Sequence, residues 1–421
     1  MEYDRRRHAA RATSHFIFNQ LIPYIGNKRK LLPLIDRAIE ASGLKPGQDF
    51  VDLFSGSGVV ARMAKERGFR VIANDWEPYS EQINRAYIGC NAAPDFGGKS
   101  YADMIDGLNA LPPVEGWVTE HLCPDDDDHY VIGRDRLFFM RKNGMRIDAV
   151  REELEWLRAG GALDDGQFAC LLAPLLYQCC YTSNTSGLFK GFHAGWGGSN
   201  GTALYRICGD LRLEPATFCD NGLINEVTRL DAQSFARDHG RSYDFVYIDP
   251  PYNQHPYGSN YHVLNSVALW DKPKLAPKIS GRGDKAAIRH DWRSARRSPY
   301  NSARLASQAI AALLDTLPAR WIAISYSTDG NIPLLDLAEA CRARGATSAF
   351  VQPYKRYRVS TQRFSAKPLN AEFILLIDTA RPSEGSAEAL CDGIRAEEQR
   401  ALEKHPELMP RHGGHDAENA H

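Results

Sequence analysis

Long apolar runs are missing from this chain. No uncharged stretch is long enough to span a bilayer, and the mean hydropathy is −0.41. The opening residues, MEYDRRRHAARATSHF, are basic but have no apolar centre, so they do not read as a secretory signal. A cytoplasmic protein with no membrane partner is expected. Cysteine spacing is equally uninformative. Nine cysteines are scattered, Cys179 and Cys180 are the one close pair, and C-x-x-C and zinc spacings are absent. They read as reduced thiols in or near a core, and no metal is assigned. An excess of one charge is lacking too. Lys and Arg total 51 against 52 Asp and Glu, a formal net charge of −1, which excludes a globally basic nucleic-acid binder.

What is present is an interrupted α/β rhythm with no internal repeat. A length of 421 residues with 43% hydrophobic content allows two or three domains with a substantial core. Helical periodicity runs from Lys28 to Ser42 and stops at Gly43, a C-terminal cap. QDFVDLF (48–54) reads as a buried strand. A glycine turn follows, then a helix from Val59 to Arg67 closed by Gly68, then a second strand ending at Asp75. From 91 to 220 the rhythm gives way to helical pieces, Ile147 to Arg158 and Phe168 to Cys180, among turn-rich stretches. It resumes at 224–231, 243–249, 320–326 and 371–378. The expected organisation is a catalytic domain in two parts, 15–90 and 221–380, with a mostly helical insertion at 91–220. The acidic segment 381–421 reads as a poorly ordered tail.

DLFSGSGVVA places Gly56 and Gly58 between a strand and a helix. Glycine permits a tight turn and close ligand approach, and a helix N-terminus offers free N–H groups. Asp75 ends the next strand, where an acid accepts hydrogen bonds from ribose hydroxyls. Together these describe a pocket for an adenosine-containing cofactor. They do not distinguish a nicotinamide or flavin nucleotide from S-adenosylmethionine, and a structural turn has the same pattern.

YDFVYIDPPYN (243–253) supplies the distinction. Proline cannot donate to a sheet ladder, so the strand ends there and delivers Asp249, Pro250, Pro251 and Tyr252 as a rigid unit. The exocyclic amine of adenine is a poor nucleophile because its lone pair is delocalised into the ring. Two fixed acceptors on its N–H bonds favour a more tetrahedral nitrogen. The Asp249 carboxylate supplies one and the Pro250 carbonyl the other, with Tyr252 stacked on the base. A sulfonium methyl is already an activated electrophile, so positioning does much of the remaining work.

With these motifs the sequence resembles the Dam-type N6-adenine DNA methyltransferases, in particular the modification methylases of restriction systems. The resemblance rests on YIGNKRKLL, FVDLFSGSGVVA, ANDWEPY, DPPYNQHPYGSNYHVL, ISYSTDG and YKRYR, and covers most of residues 15 to 380. It implies a Rossmann-like S-adenosylmethionine-dependent methyltransferase sheet, with a target-recognition region inserted between the cofactor motifs and the catalytic one. It also implies double-stranded DNA as substrate and a cognate restriction endonuclease as companion. By position it assigns Tyr24, Lys28, Asp52, Phe54, Gly56, Gly58, Asp75, Asp231 and Asp249 to the cofactor, and Asp249 to Tyr252 to catalysis. Three positions depart from the family pattern. Tyr24 stands where Trp or Phe is usual, Asn27 where a second Gly is usual, and Ala232 where an aromatic often follows the acid.

Reaching a stacked adenine requires flipping it out of the duplex, and hence contacts to the DNA backbone. GLFKGFHAGWGG offers Lys190 among aromatic residues suited to lie against DNA, or else to pack. Arg282 to Arg304 is a basic segment after the catalytic strand, from which Arg289, Arg293, Arg296 and Arg297 are expected to meet phosphates. Rival readings are methylation of RNA adenine or of cytosine N4, a nicotinamide dehydrogenase, and a non-catalytic DNA-binding regulator on the same fold.

Overall fold

The computed structural model describes residues 15–404 apart from 239–240, 255, 282–283, 290, 293–295 and 356–368. Seven strands form one sheet: β1 (Asp49–Asp52), β2 (Arg70–Asn74), β3 (Glu226–Thr228), β4 (Tyr243–Ile248), β5 (Ala319–Ser327), β6 (Ala346–Lys355) and β7 (Leu369–Asp378). Their order is β3-β2-β1-β4-β5-β7-β6. The first five run parallel, and β7 is antiparallel to both of its neighbours. This is the Rossmann-like α/β sheet expected from the sequence.

Alternation along the central strands explains why successive positions there are apolar on both faces. On β1, Phe50 faces one core while Val51 faces another. On β4, Phe245 and Tyr247 join Phe50, whereas Val246 and Ile248 join Val51. Both faces are covered by helices, so the middle positions of β1 and β4 carry large apolar side chains on either face. Strand order reverses between β1 and β4, whose Asp52 and Tyr247 are register partners. In an open parallel sheet the crevice at such a reversal, outside the carboxyl ends of the strands, is where ligands bind.

The insertion is mostly helical, with its longest helices at Arg141–Ala159 and Asp165–Thr182. Its apolar side chains do not form a separate core. Phe138, Ile147, Leu154 and Leu172 cluster with Tyr79 and Ile83 before the insertion and with Val263 and Leu264 after it. The insertion is therefore continuous with the elements that flank the crevice.

The expected tail is corrected for residues 387–404. Ala387–Lys404 is a helix lying against β6 and β7, with Cys391 and Ile394 buried. Its net acidity disguised a sparse helical spacing of small and apolar residues. Residues 405–421 lie outside the described part. Among the described residues no helix is long and apolar enough to cross a membrane.

Candidate functional site

The glycine turn after β1 is shaped by two positive φ angles, +53° at Gly56 and +79° at Gly58. A Cβ on Gly56 would lie 2.7 Å from the Tyr24 ring, and one on Gly58 would lie 2.6 Å from Asn84 Oδ1. Neither position accepts a side chain. Gly58 also opens the helix Val59–Glu66, and the Ala61 N–H donates to Asp52 Oδ2 at 3.1 Å. Asp52 Oδ1 is buried without a hydrogen-bond partner. Burial, and then the neighbouring Asp249 and Asp75, push its carboxyl up to about 8. Asp52 thus braces the turn from below.

Asp75 clamps the turn from the end of β2. Its Oδ2 accepts the Gly56 N–H at 2.7 Å and its Oδ1 accepts the Glu77 N–H at 2.8 Å. Each oxygen keeps acceptor capacity for a hydroxyl. Burial raises its pKa, opposed by those N–H donors. Asp231 caps the helix Ala232–Asp238 by accepting from the Gln233 and Ser234 backbone at 3.1 Å and from the Ser234 hydroxyl at 2.6 Å.

These elements enclose a cleft of about 830 Å³, counting its open mouth. Tyr24, Phe54, Asp75, Asp231 and Asp249 all line it. Tyr24 stacks on Tyr257 and Tyr261 at 5.2 and 5.1 Å, and its hydroxyl lies 3.3 Å from that of Tyr79. The unusual tyrosine at position 24 is therefore held by aromatic neighbours that its hydroxyl does not disturb. Asn27 substitutes for the usual glycine by capping the 3-10 turn Lys28–Lys30, its Oδ1 accepting from Arg29 N at 2.8 Å. Where Ala232 lacks the usual aromatic ring, Tyr300 also lines the cleft, edge-on to Phe54 at 5.4 Å and accepting from Gln233 Nε2 at 3.3 Å.

Asp249 lies one residue past β4. Lys28 Nζ is 3.0 Å from its Oδ1, and the two side chains are 4% and 17% exposed. Burial raises the Asp249 pKa, and Lys28 opposes that rise. In turn burial works to strip the Lys28 proton, but Asp249, Tyr252 and Glu372 hold the ammonium above the usual lysine range. Lys28 also lies 5.1 Å from the centre of the Tyr252 ring. Tyr252 is fixed through its carbonyl, which accepts from Asn331 N at 3.0 Å, and by an edge contact with Tyr326. A second groove opens on this side, lined by Tyr24, Lys28, Tyr252, Tyr261 and Glu372 together with 186–188 of the insertion.

The residues expected at phosphates divide. Lys190 is exposed on the glycine-rich loop. The aromatic residues around it face inward. Phe189 is buried, Phe192 packs edge-on to Phe138, and Trp196 donates to the Asp127 carbonyl at 2.9 Å. That stretch is a packing loop bearing one exposed lysine. Arg289 is engaged by Asp271 and Asp291 and is only 14% exposed. Arg293 lies outside the described residues, and Arg297 is exposed. Arg296 turns into the cleft instead. The sequence reading missed Glu77, Tyr257 and Tyr300 as cleft residues. Glu77 and Tyr257 had a signal, standing in ANDWEPY and DPPYNQHPYGSNYHVL, and Tyr300 had none.

A family model described as D12 class N6 adenine-specific DNA methyltransferase matches residues 24–307. The type II methyltransferase M.NlaIII of Neisseria lactamica is 31% identical over 83% of the chain and 96% of its own length. M.FokI of Planomicrobium okeanokoites is 28% identical over 84% of the chain, which spans 52% of that longer protein. M.CviAII of Paramecium bursaria Chlorella virus 1 is 27% identical over 80% of the chain and 93% of its own length.

Proposed function

The chain belongs to the D12 class N6 adenine-specific DNA methyltransferases, and from that premise we propose that it uses S-adenosylmethionine to methylate adenine N6 within a specific double-stranded DNA sequence, as the modification enzyme of a restriction system. The observation that carries this reading is the placing of Asp249, joined to Lys28, at the β1/β4 reversal where the cofactor cleft and the second groove meet.

The cleft suits an adenosine-containing donor. Asp75 has acceptor capacity for ribose hydroxyls, and Gly56 and Gly58 leave no room for side chains at the turn. Asp231, Phe54 and Tyr300 form the walls. When bound, the donor supplies a methyl group on a positively charged sulfur. The protein's part is to hold the amine. Asp249 accepts one N–H of the flipped adenine, the Pro250 carbonyl accepts the other, and Tyr252 stacks on the ring from the second groove. Transfer to the amine held by Asp249 and the Pro250 carbonyl would break the donor's methyl–sulfur bond and leave the sulfur as a neutral thioether. The nitrogen then sheds one proton toward Asp249 or solvent. Lys28 favours the Asp249 carboxylate, which the acceptor role requires.

Lys190 and Arg297 are the exposed cations assigned to phosphates, and the insertion is assigned to target recognition. The reading is tested by long-read methylome sequencing of DNA from cells expressing the protein. It predicts N6-methyladenine at one recurrent sequence. Methylation confined to cytosine N4 or to RNA would contradict it.

A further inference from the structure

Arg296 comes from the basic segment that the sequence places against DNA, yet it is one of the residues lining the cleft, and its side chain is only 17% exposed. Nη2 donates to the Trp76 carbonyl at 2.7 Å. The guanidinium lies 5.6 Å from the Trp76 ring centre and 4.7 Å from that of Trp292. Nη1 is buried and without a hydrogen-bond partner, and the carboxylate nearest it, Glu77 Oε2, is 3.7 Å away. That Glu77 oxygen is already engaged by Asn265 Nδ2. Burial pushes Glu77 up to about 7, with Arg296 opposing, so near neutral pH its charge only partly balances the guanidinium.

A buried N–H group with no acceptor is costly, and where its residue borders a ligand cleft, as Arg296 does, a bound ligand can complete it. Trp76 and Glu77 directly follow Asp75 and line the same cleft as Arg296, whereas Lys28 and Tyr252 line the second groove. We propose that Arg296 is a cofactor-binding residue, donating through Nη1 to an oxygen or nitrogen acceptor of the nucleoside part of the methyl donor, and is not a DNA-phosphate ligand. The inference rests on the methyl-donor reading of the cleft. Through Arg296 the segment after the catalytic strand becomes a wall of the cofactor site.

The test is calorimetry on the full chain with S-adenosylhomocysteine and with 5′-methylthioadenosine, which lacks the amino-acid carboxylate. Binding to the wild type is required first, and its absence would refute the donor reading itself. Given that binding, Arg296→Ala is expected to weaken both ligands roughly ten- to hundredfold. DNA affinity without cofactor, and its salt dependence, should stay unchanged. Arg296→Lys, which retains charge and most of the length, should weaken both ligands by a smaller factor, and it serves if the alanine variant fails to fold. Wild-type affinity for both ligands would overturn the proposal. So would a loss confined to S-adenosylhomocysteine, which would place the contact at the carboxylate. A fall of roughly 0.9 in the slope of log DNA affinity against log salt would return Arg296 to a phosphate.

Discussion

Lys28 and Asp249 meet at 3.0 Å, joining the 3-10 turn Lys28–Lys30 to the residue that follows β4. The contact couples the protonation of the Asp249 carboxylate to a cation more than two hundred residues earlier in the chain. It also sets the sign of the first prediction.

Burial raises the Asp249 pKa and Lys28 holds it down. Lys28→Met removes the opposing influence, so the carboxyl should rise further and the acceptor form should be lost at higher pH. The acid limb of kcat/KM should move to higher pH. A pH–rate profile of the two proteins checks this, and coincident acid limbs would show that Lys28 does not govern Asp249.

Gly56→Ala should damage binding more than folding. The new methyl group would meet the Tyr24 ring at 2.7 Å, forcing Tyr24 out of its stack with Tyr257 and Tyr261. The left-handed backbone adds about 1–2 kcal/mol of strain. A tenfold or greater loss of S-adenosylhomocysteine affinity is expected by calorimetry. Gly43→Ala is the matched control, with φ +72° and nothing within 4 Å. It should cost about 1 kcal/mol of stability and leave binding unchanged. Equal binding loss in both variants would mean that backbone strain, and not the Tyr24 contact, is responsible.

His262 bonds through Nε2 to the Phe189 carbonyl at 2.8 Å, tying the helix after the catalytic motif to the insertion. Burial lowers its pKa to about 4. The unfolded chain binds this proton below about pH 6.5 while the folded chain does not. The stabilisation is therefore complete above pH 6.5 and is lost as pH falls toward 4, by about 3 kcal/mol. Urea unfolding across that window should show a steeper loss in the wild type than in His262→Asn. Parallel curves would mean that the imidazole titrates normally.

The parts of this structure legible in the sequence are those where one local constraint dominates. Apolar strands, positive-φ glycines and the Pro-Pro stop each fix a conformation within a few residues, and they placed β1, β2, β4 and Asp249 correctly. β6 escaped notice because an edge strand need not be continuously apolar, and ATSAFVQPYK has few large aliphatic residues. The position of Arg296 was not legible for a different reason. Its charge suggested phosphate, but its environment is set by Trp76 and Glu77, more than two hundred residues earlier, and such a contact has no local signature. The same holds for Tyr300, which supplies an aromatic wall that the sequence around Asp231 lacks.

The central claim is that Asp249 presents a charged acceptor to the adenine amine. It is tested most directly by comparing Asp249→Ala with the wild type on duplex DNA carrying the methylated sequence, reading N6-methyladenine by mass spectrometry after confirming that both are folded and bind DNA. The account predicts that product becomes undetectable in Asp249→Ala. Substantial N6-methyladenine from the folded variant would contradict it.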